Sequence, residues 1–461
     1  MVETYIVYPS NKHNRPASPD AIKLHSLDGL SAPIQIHNHR FFQSTERHIS
    51  EIVEKLKSAL AEALEFYPPV AGTVLINDNG DIYIDTHSEN GSGTPLLVDI
   101  KDTPYTHDTE DLSPRTEVIL PPGSSTFAAK ITKFSCGTIC VATSIHHQVT
   151  DLRGFLEFLE AWAQIARGEP IDISKIPDDW SRNPSRFFSG LISESTVPPP
   201  PIPFELLETP ATGVPEYLMQ PSKITNWKIS SNSLEQLKND FSPSASGDGW
   251  ISSGDALATL LCGAVTRARH NANVPRLVGR STLESDTEKV AMAADGRERA
   301  PRGDMAGKYY GNFNNLPGVI MSRSDLLSLT NESAARIAVA IRKGLNDQLS
   351  PESIAKRIAF FEAPETNTPP GRILFTADVI LTNWCRFDLQ SPKLGFGWGK
   401  PFLATSGGGT VYPPAYSIMT QNKVSGETFV MLTVEEAGEE ALKADELMNK
   451  YATLIPNQPS V

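Results

Sequence analysis

Ser144-Ile145-His146-His147-Gln148-Val149-Thr150-Asp151-Leu152-Arg153-Gly154 is the stretch whose reading decides the fold. Upstream of it, Phe127 to Phe134 and Ile139 to Ile145 are joined across Ser135-Cys136-Gly137-Thr138, a pattern that predicts a β-hairpin. Downstream, Phe155, Phe158, Leu159 and Trp162 recur at helical spacing. The two histidines therefore fall at a strand-to-helix junction. His147 and Asp151 form H-x-x-x-D, a spacing too common to carry an assignment without its context.

Working outward, the N-terminal part mixes both periodicities. From Thr45 to Phe66 the residues Ile49, Ile52, Val53, Leu56, Leu60 and Leu64 mark an amphipathic helix behind Ser44-Thr45 as cap, ended by Tyr67-Pro68-Pro69. Gly72 to Ile76, a turn at Asp78-Asn79-Gly80, and Asp81 to Ile84 read as a second hairpin. The C-terminal part repeats the mixture. Helices are expected near Ser253 to His270 and Leu326 to Asn346, and strands near Gly318 to Met321, Ile373 to Leu381 and Thr428 to Val434. The fold class is thus α/β, or α+β, with mixed sheets.

A chain of 461 residues is comfortable as two domains of ordinary size. Between them, residues 191–222 lose periodicity and gather Pro198-Pro199-Pro200-Pro201, Pro203, Pro210 and Pro215, as an extended crossover linker would. The expected division is 1–190, the linker 191–222, and 223–461, with part of 370–410 packing back onto the N-terminal domain. The start of the sequence carries no basic, apolar leader and no long apolar run follows, so a cytoplasmic protein is expected. The four cysteines follow neither zinc nor disulfide-framework spacing and read as reduced thiols.

A net charge of −13 disfavours nucleic acid and acidic membranes as partners. A phosphorylated co-substrate would need a local basic patch, and Arg267, Arg269, Arg297, Arg299, Arg302 and Lys308 are the densest candidate. His37 and His39 alternate along a strand, but no third ligand accompanies them. A half-exposed pair with no metal is the expectation. Ser406-Gly407-Gly408-Gly409-Thr410 lacks the lysine and spacing of a phosphate-binding loop and reads as an ordinary loop.

The ordered companions of the histidine motif carry a resemblance to a known family. Tyr67-Pro68-Pro69-Val70-Ala71-Gly72 precedes it; Asp295-Gly296-Arg297, Tyr310-Gly311-Asn312, Thr382-Asn383-Trp384 and Gly395-Phe396-Gly397-Trp398-Gly399-Lys400-Pro401 follow. In this order and over nearly the whole length the chain resembles the BAHD acyltransferases, in particular the fungal branch that contains trichothecene 3-O-acetyltransferases. The resemblance implies two chloramphenicol-acetyltransferase-like domains with an active-site channel at their interface. It also implies acyl transfer from an acyl-CoA to a small-molecule hydroxyl, by a monomer with no permanently bound cofactor.

By the same resemblance His147 is the general base, and the acceptor attacks the thioester directly. Imidazole suits that task, since it can take a proton as attack proceeds and return it to the departing thiolate. His146 falls outside the motif's register and on an adjacent residue pointing elsewhere. Asp151 and Gly154 are implied as parts of the loop's scaffold, with Gly395, Gly397, Trp398 and Gly399 as a second structural motif. Thr382 and Trp384 are implied as oxyanion donors. Ser252, Ser253 and Asn312 are implied as coenzyme contacts, although Ser252-Ser253 before Asp255 also reads as a helix N-cap.

Three departures from the family pattern stand out. Leu152 replaces a glycine, Asn383 a serine, and Gly395 the aspartate of D-F-G-W-G. The resemblance makes that aspartate the partner of an arginine, here Arg297, for which Asp388 is a nearby substitute. A chain released from coenzyme binding would drift at such positions, which keeps open a CoA-independent condensation, cyclisation or elimination at the same histidine.

Overall fold

The structure, a computed structural model, describes residues 2–455 apart from 14, 16–18, 44–46, 88–92, 107–111, 118, 178, 192–197, 210–219, 245–248, 275–285, 302, 368–371 and 407–411. The chain divides into two compact units. The first is Met1–Phe187 with Arg302–Phe313 and Leu389–Thr410; the second is Phe188–Pro301, Asn314–Asp388 and Val411–Val461.

In the first unit a six-stranded sheet runs in the order β1 (Glu3–Val7), β6 (Thr94–Ile100), β7 (Phe127–Lys133), β8 (Ile139–His146), β3 (Gln35–Phe42) and β16 (Leu403–Thr405). β6 and β7 are parallel and the other neighbours antiparallel. A smaller antiparallel sheet joins β2 (Ala21–Lys23), β5 (Ile82–Asp85) and β4 (Thr73–Ile76). Its hairpin closes where Gly80 takes a φ of 81° and Asn77 Oδ1 accepts from the amides of Asn79 and Asp81.

The helices of this unit include α1 (Ser26–Gly29), α2 (Ile49–Phe66) and α3 (Leu152–Ala166). α2 buries Ile52, Val53, Leu56, Leu60 and Leu64, one stripe at helical spacing. It begins at Ile49 behind His48, which makes no side-chain cap, so the expected start at Thr45 is too early. Ser44 and Thr45 themselves lie outside the described residues. α3 turns Phe155, Phe158, Leu159 and Trp162 into the core, where the Trp162 indole donates to Leu56 O of α2 at 3.0 Å. Its aromatic rings meet Phe127 of β7 and Phe396, most of them edge to face.

The second unit holds a sheet in the order β12 (Asn314–Asn315), β11 (Thr287–Asp295), β15 (Val379–Asn383), β17 (Tyr416–Gln421), β18 (Thr428–Glu435), β10 (Ser222–Ile229) and β19 (Thr453–Ile455), with β13 (Gly318–Ser322) beside β11. β9 (Phe204–Leu206) pairs with β14 (Ile373–Phe375), so the stretch read as a linker contains a strand. Residues 192–197 and 210–219 of that stretch lie outside the described residues. α4 (Ser231–Phe241) and α5 (Ser253–Asn271) pack beside this sheet's core, and α5 is buried along most of its length.

Two sequence expectations are corrected here. The helix expected from Leu326 to Asn346 is broken, because Leu329 adopts a left-handed φ of 33° and Thr330 then caps a new helix, Asn331–Gln348. The strand expected from Ile373 to Leu381 is split before β15. Asp378 leaves the strand pattern there, its carboxylate accepting from Lys289 N at 2.8 Å.

Gly395 to Gly399 belong to the first unit. Gly397 and Gly399 have φ of 99° and 109°, which glycine adopts without strain. Gly395 is glycine for another reason. A Cβ there would sit against the Gly399 carbonyl oxygen and 3.2 Å from Pro392 O, while its own carbonyl accepts from Arg167 Nη1 at 2.6 Å. Reinstating the family aspartate as Gly395→Asp therefore destabilises the protein by about 1–3 kcal/mol through overpacking. A thermal melt reads this as a lower Tm; an unchanged or raised Tm contradicts the steric account.

Candidate active site

β8 ends at His146 and α3 starts at Leu152, so the histidine motif occupies the turn between sheet and helix. The turn's backbone is tied on both sides, His146 N donating to Thr126 O and His147 N to Ile34 O, each at 2.8 Å. Asp151 is the N-cap of α3, its Oδ1 accepting from Gly154 N at 3.2 Å. Gly154 has no room for a Cβ, which would meet the Thr150 hydroxyl and, at 3.4 Å, the ring of Tyr310. Leu152, one of the departures from the family pattern, is the first helical residue and is buried.

His147 stands apart from its neighbours. From Ile139 to Asp151 every other residue is buried, and His147 alone keeps partial exposure. Its carbonyl oxygen accepts from Asn312 Nδ2 at 2.8 Å. Asn312 is in turn fixed by Asp28, whose Oδ1 accepts from the Asn312 amide N–H at 2.7 Å and from Nδ2 at 3.1 Å. The next amide, Phe313 N, donates to Asp151 Oδ2 at 3.0 Å. Two buried carboxylates thus hold two consecutive backbone amides of the segment Arg302–Phe313, and that segment steadies the His147 peptide.

Asn312, expected as a coenzyme contact, is buried, and its side-chain amide is engaged by Asp28 and the His147 carbonyl, which makes it a positioning residue for the turn. Asp28 was not anticipated at all. It sits in α1, where His25 and Asp28 form a reciprocal capping box, His25 N donating to Asp28 Oδ2 at 3.0 Å. The spacing His25-Ser26-Leu27-Asp28 announces a helix start, but nothing local announces a partner so distant in sequence.

The electrostatics separate the histidines. Burial lowers the proton affinity of His147 below the ordinary imidazole value; its own backbone carbonyl, Asp151, the Asn312 side chain and Asp28 all act in the opposite direction. Its Nδ1 is buried and has no partner of hydrogen-bond geometry. His146 is pushed down to about 3 by burial, by Arg115 and by His147. His146 N and ring are both inside the fold, where Nδ1 accepts from Gln148 N at 3.3 Å.

His37 and His39 are not half-exposed. Both are buried on β3, a strand flanked by β8 and β16 and buried at every position. Burial, with Arg115, lowers His37 to about 4, and burial holds His39 well below the usual range. Among the described residues no three histidine, cysteine, aspartate or glutamate side chains are grouped to hold a metal ion.

In the second unit, Thr382 is the last residue but one of β15 and is buried, as is Trp384. The two expected donors are bonded to each other, Trp384 Nε1 donating to Thr382 Oγ1 at 3.2 Å. The indole N–H is therefore engaged, and the Thr382 hydroxyl hydrogen is the donor that remains. Ser252 caps α5: its hydroxyl donates to Asp255 Oδ2 at 2.8 Å and accepts from Asp255 N and Arg342 Nη2, at 3.2 and 2.7 Å. Ser253 is the first residue of the helix.

Three residues of the basic patch are paired with acids. Arg267 pairs with Asp445, Arg269 with Glu435, and Arg297 with Asp295, at 2.7, 2.8 and 3.0 Å. Arg297 thus has a carboxylate two residues upstream, and Asp295 also pairs with Arg386 at 2.7 Å. Arg302 and the glycines 407–409 lie outside the described residues. No described helix is long and apolar enough to cross a membrane.

Comparison with known proteins adds to this geometry. A model described as the Transferase family matches residues 1–443. Omega-hydroxypalmitate O-feruloyl transferase of Arabidopsis thaliana is 25% identical, over 79% of this chain and 75% of its own length. Acyltransferase uat1 of Mycosarcoma maydis is 26% identical, over 90% of this chain and 86% of its own. Among solved structures, F. graminearum TRI101 complexed with ethyl coenzyme A aligns with a TM-score of 0.74 at 19% identity, covering 95% of this chain and 99% of that one.

The pKa ordering of the two adjacent imidazoles is measurable without substrate. In an NMR pH titration the His147 ring titrates below 6.5, whereas His146 stays neutral throughout the range in which the protein is folded. Removal of the Asp28 charge in Asp28→Asn lowers the His147 midpoint further, because one of the groups favouring the imidazolium is lost. A higher midpoint in that variant contradicts the arrangement described.

Proposed function

The chain belongs to the Transferase family, that of the BAHD acyltransferases, and from that premise we propose that it transfers an acyl group, acetyl in the first instance, from an acyl-CoA to a hydroxyl of a small-molecule secondary metabolite. The observation that carries this reading is His147: a neutral, partly exposed imidazole in a junction whose other residues are buried, with its peptide held by Asn312.

An alcohol near neutral pH is a poor nucleophile, and a thioester carbonyl needs something close to an alkoxide. As the acceptor oxygen attacks, its proton passes to the His147 imidazole and a C–O bond forms. The tetrahedral oxyanion then collapses, the C–S bond breaks, and the imidazolium returns the proton to the leaving thiolate. The products are the ester and free CoA. Because burial keeps the imidazole unprotonated near neutral pH, the base is present in its active form before the acceptor arrives.

Asp151 is scaffold in this scheme, since both its oxygens accept backbone amides. Thr382 supplies a hydroxyl donor for the oxyanion, and Trp384 orients it by donating to the hydroxyl oxygen. Support for coenzyme A as the acyl carrier comes from the family and from the structural likeness to TRI101, which was solved with ethyl coenzyme A. Gly395, which suggested a CoA-independent reaction, has a steric reason of its own and no longer favours that alternative.

The base assignment predicts that His147→Ala lowers kcat/KM by about 10²–10⁴, the usual range for a general base. Thiol release from acetyl-CoA across a panel of alcohols, with mass spectrometry of the product, measures it. A fully active variant removes His147 from the mechanism; a product without the added acyl mass removes acyl transfer. Thr382→Val, which keeps the shape and deletes the donor, lowers kcat by about 10²–10³ with little change in KM. Equal loss in KM alone would assign Thr382 to substrate binding instead.

A further inference from the structure

The first unit contains a cavity of about 660 Å³ between the smaller sheet, the C-terminal end of α2 and the segment around Trp180. Its lining does not include His147. We propose that this cavity binds a small aromatic anion, whose oxygens meet the guanidinium of Arg182 and whose ring lies along Trp180.

Arg182 is the residue that points to a ligand. It is only 7% exposed, and its Nη1 donates to the Tyr310 carbonyl oxygen. Nε and Nη2 are buried and have no hydrogen-bond partner. These two N–H groups lie side by side on one edge of the guanidinium, the fork that receives two oxygens of a carboxylate or phosphate. A donor pair left unmet away from bulk water is a strong site for an anion, because low local polarity strengthens the pairing.

The rest of the wall agrees in charge and in shape. Arg15 and Lys23 add positive charge. Of the two acidic residues, Asp179 pairs with Arg186, and Glu65 keeps its charge but spends its oxygens on Ser10 Oγ, Lys12 N and His13 N at 2.7, 3.0 and 2.8 Å, so the three cations of the wall still outnumber the acids. Lys23 pairs with Asp81 at 2.9 Å but is largely exposed, so it contributes a screened charge. Phe66, Ile22 and Pro68 make the apolar side. Trp180 is braced by the rings of Tyr67 and Tyr310, with centroids 6.3 and 5.9 Å away. The volume is within the usual range for small-ligand sites.

Isothermal titration of the full chain with benzoate and with phenyl phosphate tests this, with neutral benzamide as the control. One or both anions bind with one site per chain, and benzamide binds at least about tenfold more weakly. The stronger of the two anions identifies carboxylate or phosphate as the preferred group. Arg182→Lys keeps the charge but deletes the fork, and weakens the anion by about tenfold or more. Should that variant fail to fold, Trp180→Leu and Arg15→Gln supply the same readout from the other walls. No binding of either anion at ~10 mM, equal binding by the amide, or undiminished binding in the variants overturns the proposal. Competitive displacement by acetyl-CoA overturns it too, since the anion would then occupy the acyl-transfer site. Because only binding is measured, the test does not depend on the role given to His147.

Discussion

Two buried aspartates, far apart in sequence, grip two adjacent backbone amides, and the turn that carries His147 depends on that grip. Asp28 takes the amide of Asn312 and Asp151 takes the amide of Phe313. A carboxylate withdrawn from water is costly unless its oxygens are met, and a hydrogen bond to a charged group is worth about 1.5–3 kcal/mol. Here the donors are backbone N–H groups, which no substitution other than proline removes. The segment Arg302–Phe313, drawn from the second half of the chain, is thereby fastened to the junction that carries His147. Asn312 completes the link by reaching from Asp28 to the His147 carbonyl.

That constraint also explains what H-x-x-x-D is for in this chain. Four residues after His147, the aspartate lands on the N-cap of α3. One oxygen caps the helix and the other anchors Phe313, so the same carboxylate fixes where the helix begins and where the distant segment rests. The motif's spacing is set by helix geometry as much as by chemistry.

Much of the first unit was legible because its signals are local. The hairpins β4–β5 and β7–β8 follow from alternation and from the turns at Asn79-Gly80 and Gly137, and α3 from its apolar stripe. What sequence reading misplaced depends on tertiary context. His37 and His39 look like residues of a half-exposed strand, yet β3 is covered on both faces and both rings are buried. The break at Leu329 is invisible because leucine is an unusual residue for a left-handed position. Asn312 was legible as a motif residue but not in its role, since its partners lie 284 and 165 positions away. The sequence pattern presents Gly395 as a missing charge; Asp295 supplies a carboxylate to Arg297, and a lack of space accounts for the glycine.

The histidines of this sheet show why the scaffold matters to the chemistry. His37, His39 and His146 are buried with no acidic group acting to raise their proton affinity, and each is held neutral. A base fixed that firmly in its neutral form is a weak one, because it gains little by accepting a proton as the acceptor attacks. At His147, which keeps partial exposure, burial acts in the same direction, but Asp151, Asp28 and Asn312 oppose it. These are the very groups that fasten Asn312 and Phe313 to the junction. The contacts that build the turn therefore also favour the protonated form of His147, and fold and basicity at that residue rest on the same carboxylates.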